Sequence, residues 1–229
     1  PVAYGKVYIS IKAKSGSNLT TATKTSLVSQ LKSYAVASVT PVIIDPETTF
    51  ITLVTNFKYD SGKTTLAAST LQTNVLDTIT LYNQNTLENF TGMFRHSALT
   101  ALIDDTDSSI LSNVTTVKMY KYITPTLNSG IKYTLNFNNA FYNPHSGHNS
   151  SAGGIISSTG FKINNDSSTN EHFLDDDGAG NVRVYYLSGT TRIYTDSTYG
   201  TVNYTTGQII LTSAHITSIS NVDGAASTQ

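Results

Sequence analysis

Apolar residues alternate with polar ones at the start of the chain, where Val7, Ile9 and Ile11 interleave with Lys6, Tyr8, Ser10 and Lys12. A period of two predicts a half-buried strand. A turn is expected at Ser15-Gly16-Ser17-Asn18, and Thr20 or Thr21 is placed to cap a helix carrying Leu27, Val28, Leu31, Tyr34 and Ala35. A second strand is predicted over Ser38 to Ile44 and stops at Asp45-Pro46, since proline cannot donate to a ladder. Thr49 to Tyr59 reads as a long third strand. Phe50, Thr52 and Val54 lie on one face and Ile51, Leu53 and Phe57 on the other, so a central position in a sheet is expected. Leu71, Val75, Ile79 and Tyr82 then fall on one stripe of a helix from about Thr64 to Asn83. A short helix over Gly92 to Ile103 and a strand over Val114 to Ile123 complete the order β-α-β-β-α-(α)-β. That order is the split βαβ pattern of a ferredoxin-like sandwich, a mixed sheet with its helices on one face.

After Pro125 the helical period disappears. Strands are predicted at Ile131 to Phe137, Gly154 to Ile163, Val182 to Leu187, Arg192 to Thr195, Thr201 to Tyr204 and Gln208 to Thr212, with Gly, Asn, Asp and Ser turns between them. Asn143 to Gly154 reads as a mobile loop, and Asn221 to Gln229, which lacks apolar period, as a frayed tail. The expected fold is therefore α+β: a ferredoxin-like split βαβ domain over residues 1–125, then a mostly antiparallel all-β domain over 126–229.

Composition narrows the function. Thr, Ser and Asn make up more than a third of the 229 residues, and the 14 Tyr add further strand preference. A net charge of −1 leaves no electrostatic footprint for nucleic acid or an anionic membrane. The chain has no Cys, which excludes disulfides and thiolate metal sites. No apolar run reaches the length of a membrane helix. Without an initiator Met or a signal peptide, and with Pro1 so close to a strand, the chain reads as a piece of a longer one. The N-x-S/T triplets at Asn18, Asn89, Asn113, Asn149, Asn165 and Asn203 are what so Thr/Ser/Asn-rich a sequence produces by chance.

Four clusters invite a chemical reading. Gly62-Lys63-Thr64-Thr65 looks like the end of a phosphate loop, but Phe57 stands where that loop needs its first glycine, so a turn and helix cap are expected. Asp175-Asp176-Asp177-Gly178-Ala179-Gly180-Asn181 suggests calcium, yet a twelfth-position Glu is missing, since Val184 or Tyr186 stands there. A solvated hairpin turn is the expectation. His145 and His148, with His172 further on, could offer zinc or nickel ligands, but a Gly/Ser-rich loop fixes no ligand face, and exposed histidines are expected. Asp104, Asp105 and Asp107 could pair as acid and base only in an apolar cleft, and they read instead as a polar connection. No nucleophile elbow occurs. No catalytic, cofactor-binding or metal residue is assigned, no cofactor is expected, and the chain reads as a non-enzyme.

The ordered set of PVAYGKVYISIKAK (Pro1 to Lys14), LTTATKTSLVSQL (Leu19 to Leu31), Asp45-Pro46-Glu47, RHSALTALIDDTDSSILSN (Arg95 to Asn113) and YGTVNYTTGQIIL (Tyr199 to Leu211) resembles the dimerising inner-ring wedge proteins of T4-like contractile-tailed phage baseplates, relatives of the baseplate J family. The resemblance is strongest from Gly5 to Lys118, and family members are longer. It implies a structural subunit of the virion tail baseplate, assembled in the host cytoplasm. It further implies a homodimer that forms part of a ring and contacts other wedge subunits; from the charge and apolar runs above, no nucleic-acid or membrane partner is expected. Two rivals remain: a secreted or virion carbohydrate-binding β module using its tyrosines, and a hydrolase built on the acidic or histidine clusters.

Overall fold

The computed structural model describes residues 5–13, 18–35, 38–148, 150–166, 170–222 and 225–226. The turn expected at 15–18 falls almost wholly outside them, as does much of the tail. The chain is α+β and separates into two compact units, Pro1–Lys118 and Met119–Gln229.

In the first unit, β1 (Lys6–Ser10) pairs in parallel with β2 (Thr40–Ile44), Lys6 opposite Thr40 and Ser10 opposite Ile44. The crossover is α1 (Thr21–Tyr34), which packs on β2. Thr20 caps α1, its Oγ1 accepting from Thr23 N at 3.2 Å and satisfying a first-turn amide. Lys24 Nζ reaches Asp45 Oδ2 at 2.7 Å and ties the helix to the end of β2.

β3 (Phe50–Tyr59) pairs with β4 (Ile110–Tyr120). Thr55 Oγ1 meets Thr115 Oγ1 at 3.2 Å and Asp60 N donates to Ser109 O at 2.9 Å, so numbering falls on one strand as it rises on the other. Behind them lie α2 (Ala68–Tyr82), a π-helical turn (Asn83–Leu87) and α3 (His96–Asp104). Val75, Tyr82, Leu99, Ile103 and Ile110 form the core there, joined by Leu53, Phe57, Ile79 and Phe94.

Two sequence expectations are corrected in this unit. The four strands form two separate two-stranded sheets, β1–β2 and β3–β4, where the ferredoxin-like pattern requires one mixed sheet. β3 is accordingly not central. Its even-numbered face, with Phe50 and Val54, is exposed, and only the odd-numbered face packs inward. Secondly, α2 starts four residues later than expected and has no side-chain cap. Thr64 instead accepts from Leu66 N, and the Gly62 and Lys63 amides bond to Asp60, which makes the Gly62–Thr65 segment a turn alone.

The second unit is an antiparallel barrel. Its strands are β5 (Gly130–Asn136), β6 (Phe161–Ile163), β7 (His172–Asp176), β8 (Asn181–Ser188), β9 (Thr191–Asn203) and β10 (Gln208–Ile219). They lie in the order β5-β10-β6-β7-β8-β9, and β9 pairs back onto β10, so β10, β6, β7, β8 and β9 close a ring. Closure leaves few free strand edges. Val182, Val184, Val202, Leu211, Ala214 and Ile216 point into the core. The pairing of β9 with β10 ends at Gly200–Leu211, β10 shifts register between Leu211 and Ala214, and it then pairs with β6 from Ile216. The ring is therefore parted between Thr195–Tyr199 and Thr212–His215.

Candidate functional site

The acidic run Asp175–Asp177 is a highly organised polar cluster: Asp177 opens the hairpin turn expected from sequence, which joins β7 to β8, but Asp175 and Asp176 are not part of a solvated turn. Asp175 and Asp176 close strand β7 and are buried. Asp175 Oδ1 accepts from Arg183 Nε at 2.9 Å, and its Oδ2 accepts from Arg192 Nη1 and from Tyr194 OH, each at 2.9 Å. The two guanidiniums also stack on rings, Arg183 over Tyr194 at 4.3 Å and Arg192 over Tyr185 at 4.7 Å. Burial, then the bond to Asp175, pushes the Tyr194 phenol above its ordinary value, so Tyr194 stays a donor.

Asp176 turns the other way. Its Oδ1 accepts from the Ile155 and Ile156 amides, both at 2.7 Å, and its Oδ2 from Tyr204 OH at 2.6 Å and Gly178 N at 3.2 Å. Burial and then this bond raise the Tyr204 phenol as well. Asp177 makes a local turn, accepting from Ala179 N, Asn181 N and Asn181 Nδ2. Burial opposes its ionisation, but the Asn181 and Ala179 bonds prevail and hold its carboxyl below the usual range. Each carboxylate is thus spent on internal donors. The cluster clamps the 150–156 segment onto the barrel: Asp176 holds Ile155 and Ile156, and Arg183 Nη2 reaches toward Ser150 O.

The three histidines do not converge. His145 and His148 sit together, His148 Nδ1 lying 3.3 Å from His145 Nε2, with the Tyr142 ring edge-on to His148. His172 is instead fully buried in β7, edge-on to Tyr186, contrary to the expectation that it is exposed. Its Nε2 is 3.0 Å from Asp166 Oδ2, off the line of a good hydrogen bond. Burial lowers its pKa and outweighs the opposing Asp166 charge, so the ring is neutral near pH 7. Among the described residues no three His, Asp or Glu side chains group as metal ligands.

The run after α3 is a structural connection. Asp104 Oδ1 accepts from Asn113 Nδ2 at 2.7 Å, and the same amide donates to Thr100 O, which ties α3 to β4. Asp107 accepts from Ser109 Oγ and N, and these two bonds hold its carboxyl below the usual range. No described helix is long and apolar enough to cross a membrane.

Missing from the sequence reading is an exposed apolar surface on the first unit. Thr55 and Thr115 face each other on the inner side of β3–β4, so Val54 and Val114 project from the opposite face, 58% and 70% exposed. Phe90 and Met93, on the approach to α3, are 69% and 64% exposed. The signal lies in the two-faced apolar pattern of Thr49 to Tyr59, which fits an exposed face as well as burial by further strands.

Comparison with known proteins bears on the same unit. The family model described as baseplate structural protein gp6, C-terminal domain I, matches residues 1–44, and that for its C-terminal domain III matches residues 47–122. The baseplate wedge protein gp6 of Enterobacteria phage T4 is 32% identical over 134 residues, which covers 56% of this chain and 20% of that relative. The chain thus spans about a fifth of the length of the curated relative it matches.

Proposed function

As this chain belongs to the family of T4-like phage baseplate wedge proteins, we propose that it is a structural subunit of a contractile-tail baseplate, located in the virion tail. It works without catalysis, through self-association and contacts with other wedge subunits that together build the inner ring. The α+β part, residues 1–125, and the β-rich part, 126–229, act as two assembly modules. The observation that carries this reading is the pair of family matches, which run almost without a gap from residue 1 to residue 122. Two structural features support it. The strongest ionic cluster is consumed by internal bonds, and apolar side chains such as Val54, Val114 and Phe90 face solvent on the matched part. An assembly subunit needs such surface more than it needs chemistry.

Two measurements test it. Mass spectrometry of purified phage tails should find the chain at a stoichiometry comparable to other baseplate components. Sedimentation at micromolar concentration should show a dimer, burying more than about 1,000 Å² in total. Absence from tails would sink the baseplate reading, and a strict monomer would sink self-association by this segment.

A further inference from the structure

We propose that the cleft between the parted strands β9 and β10 is a binding site for a neutral or amino-substituted saccharide, a property separate from the baseplate reading. The cleft holds about 580 Å³ and is lined by Asn164, Tyr186, Asp196, Tyr199, Ser213 and His215 among others. Its volume falls within the usual size of small-molecule sites, roughly 300–1,000 Å³. The parting is built into the fold. The β9–β10 ladder stops at Gly200–Leu211, and the register shift before Ala214 carries β10 away to β6.

The lining decides the ligand class. Amides and hydroxyls predominate, with two tyrosine rings and two isoleucines between them. Many short-range donors and acceptors beside flat apolar surface suit a polyhydroxylated ring, which presents hydroxyls at its rim and C–H groups on its face. Asp166 and Asp196 line the cleft and no described Lys or Arg does. An anionic ligand would meet like charge from these carboxylates with no lysine or arginine beside it in the lining, whereas a neutral or amino sugar would not.

Among the described residues that line the cleft, Tyr199 carries an unpartnered hydroxyl. The Tyr199 hydroxyl is buried and close to the His215 backbone, yet makes no bond of hydrogen-bond geometry among the described residues. Burial, with the Asp196 charge adding to it, pushes this phenol up to about 12, so it remains protonated and able to donate. Buried polar groups are nearly always partnered. By contrast the Asp175 and Asp176 carboxylates, also buried in the barrel wall, are fully bonded.

Nuclear magnetic resonance of the full chain titrated with glucose, galactose, N-acetylglucosamine and glucosamine tests the proposal, with glucuronate as the anionic control. At least one of the first four should shift the amide signals around Asn164, Thr195–Tyr199 and Thr212–His215 at millimolar concentration, and glucuronate should bind more weakly. Tyr199→Phe should weaken that binding by about fivefold, the loss of one neutral hydrogen bond. It should leave the thermal midpoint unchanged or raised, because it removes an orphaned hydroxyl, and a structural role would move it the other way. Ser213→Ala should also weaken binding. No localised shift with any of the four sugars, or undiminished binding in the Tyr199→Phe, Ser213→Ala double variant, would overturn the site.

Discussion

The guanidinium of Arg192 occupies the space that a side chain on Gly153 would need: a β-carbon built on Gly153 overlaps Arg192 Nη1. That nitrogen is the one bonded to Asp175 Oδ2 at 2.9 Å. Gly153 also sits at φ 88°, a left-handed conformation that side chains disfavour. Its neighbour Gly154, at φ 67°, likewise leaves no room for a β-carbon, which would meet the Asp176 carboxylate. The Gly153-Gly154 pair is therefore what lets the 150–156 segment close over the buried acids.

Gly153→Ala should accordingly cost more than a surface loop change. The variant must strain its backbone and displace Arg192 from Asp175, together roughly 2–4 kcal/mol. Urea unfolding measures it. A loss within about 0.5 kcal/mol, the ordinary surface range, would show that Arg192 swings aside freely and that its bond to Asp175 contributes little.

Neighbouring carboxylates of the run should differ sharply in their mutational cost. Asp175→Ala leaves Arg183 and Arg192 facing each other without their shared acceptor, and removing one partner of a buried pair costs about 3–5 kcal/mol. Asp177→Ala removes only turn bonds at a more accessible position and should cost about 1 kcal/mol. Denaturation of the two variants side by side decides, and equal losses would refute the clamp.

The limits of sequence reading are visible at this cluster. HFLDD ends in two acids, and polarity alone marks it as a turn. It becomes strand β7 because Arg183 and Arg192, 8 and 17 residues further along, bring their charges to Asp175. No local period carries that information. The same cause shortens β6. Ile155 and Ile156 look like strand residues, but their amides bond to Asp176 and not to a ladder, so only Phe161–Ile163 pairs. Asp196 and Ser197 read as a break between two strands, yet Thr191–Asn203 is one strand. Conversely, strand positions with clean alternation such as Val182 and Val184 were legible, because one face meets the core directly. In the first unit the elements were readable but their pairing was not. A two-faced strand fits a central position and an exposed assembly surface equally well, and only partners distinguish them.

Stability should fall as pH drops from 7.5 to 5.5, with His172 contributing. Its folded pKa lies below the ordinary value near 6.5 because burial disfavours the imidazolium. The unfolded chain therefore takes up a proton first as pH falls through about 6.5, and stability is lost from there until the folded pKa is passed. Above about 6.5 both states are neutral and the contribution is fully present. His172→Phe retains an aromatic ring against Tyr186 and removes the titration. Urea midpoints at the two pH values should differ less in this variant than in the parent. An unchanged difference would place the pH dependence elsewhere.

Assembly should depend on the open face of β3–β4. Val54 and Val114 are β-branched, largely exposed, and set by the Thr55–Thr115 contact to project away from the core formed with α2 and α3. Lysine at both positions should hardly change the folding free energy, because exposed strand positions tolerate polar residues within about 0.5 kcal/mol. The same substitutions place two ammonium groups where a self-complementary contact would bury them, and a symmetric dimer would double the charge. Dimer affinity of the Val54→Lys, Val114→Lys variant should therefore fall by more than about tenfold, or 1.4 kcal/mol, in sedimentation equilibrium. Matched thermal unfolding guards against misfolding as the cause. If the variant dimerises as the parent does, another surface carries self-association, and the exposed Phe90 and Met93 beside α3 become the place to substitute next.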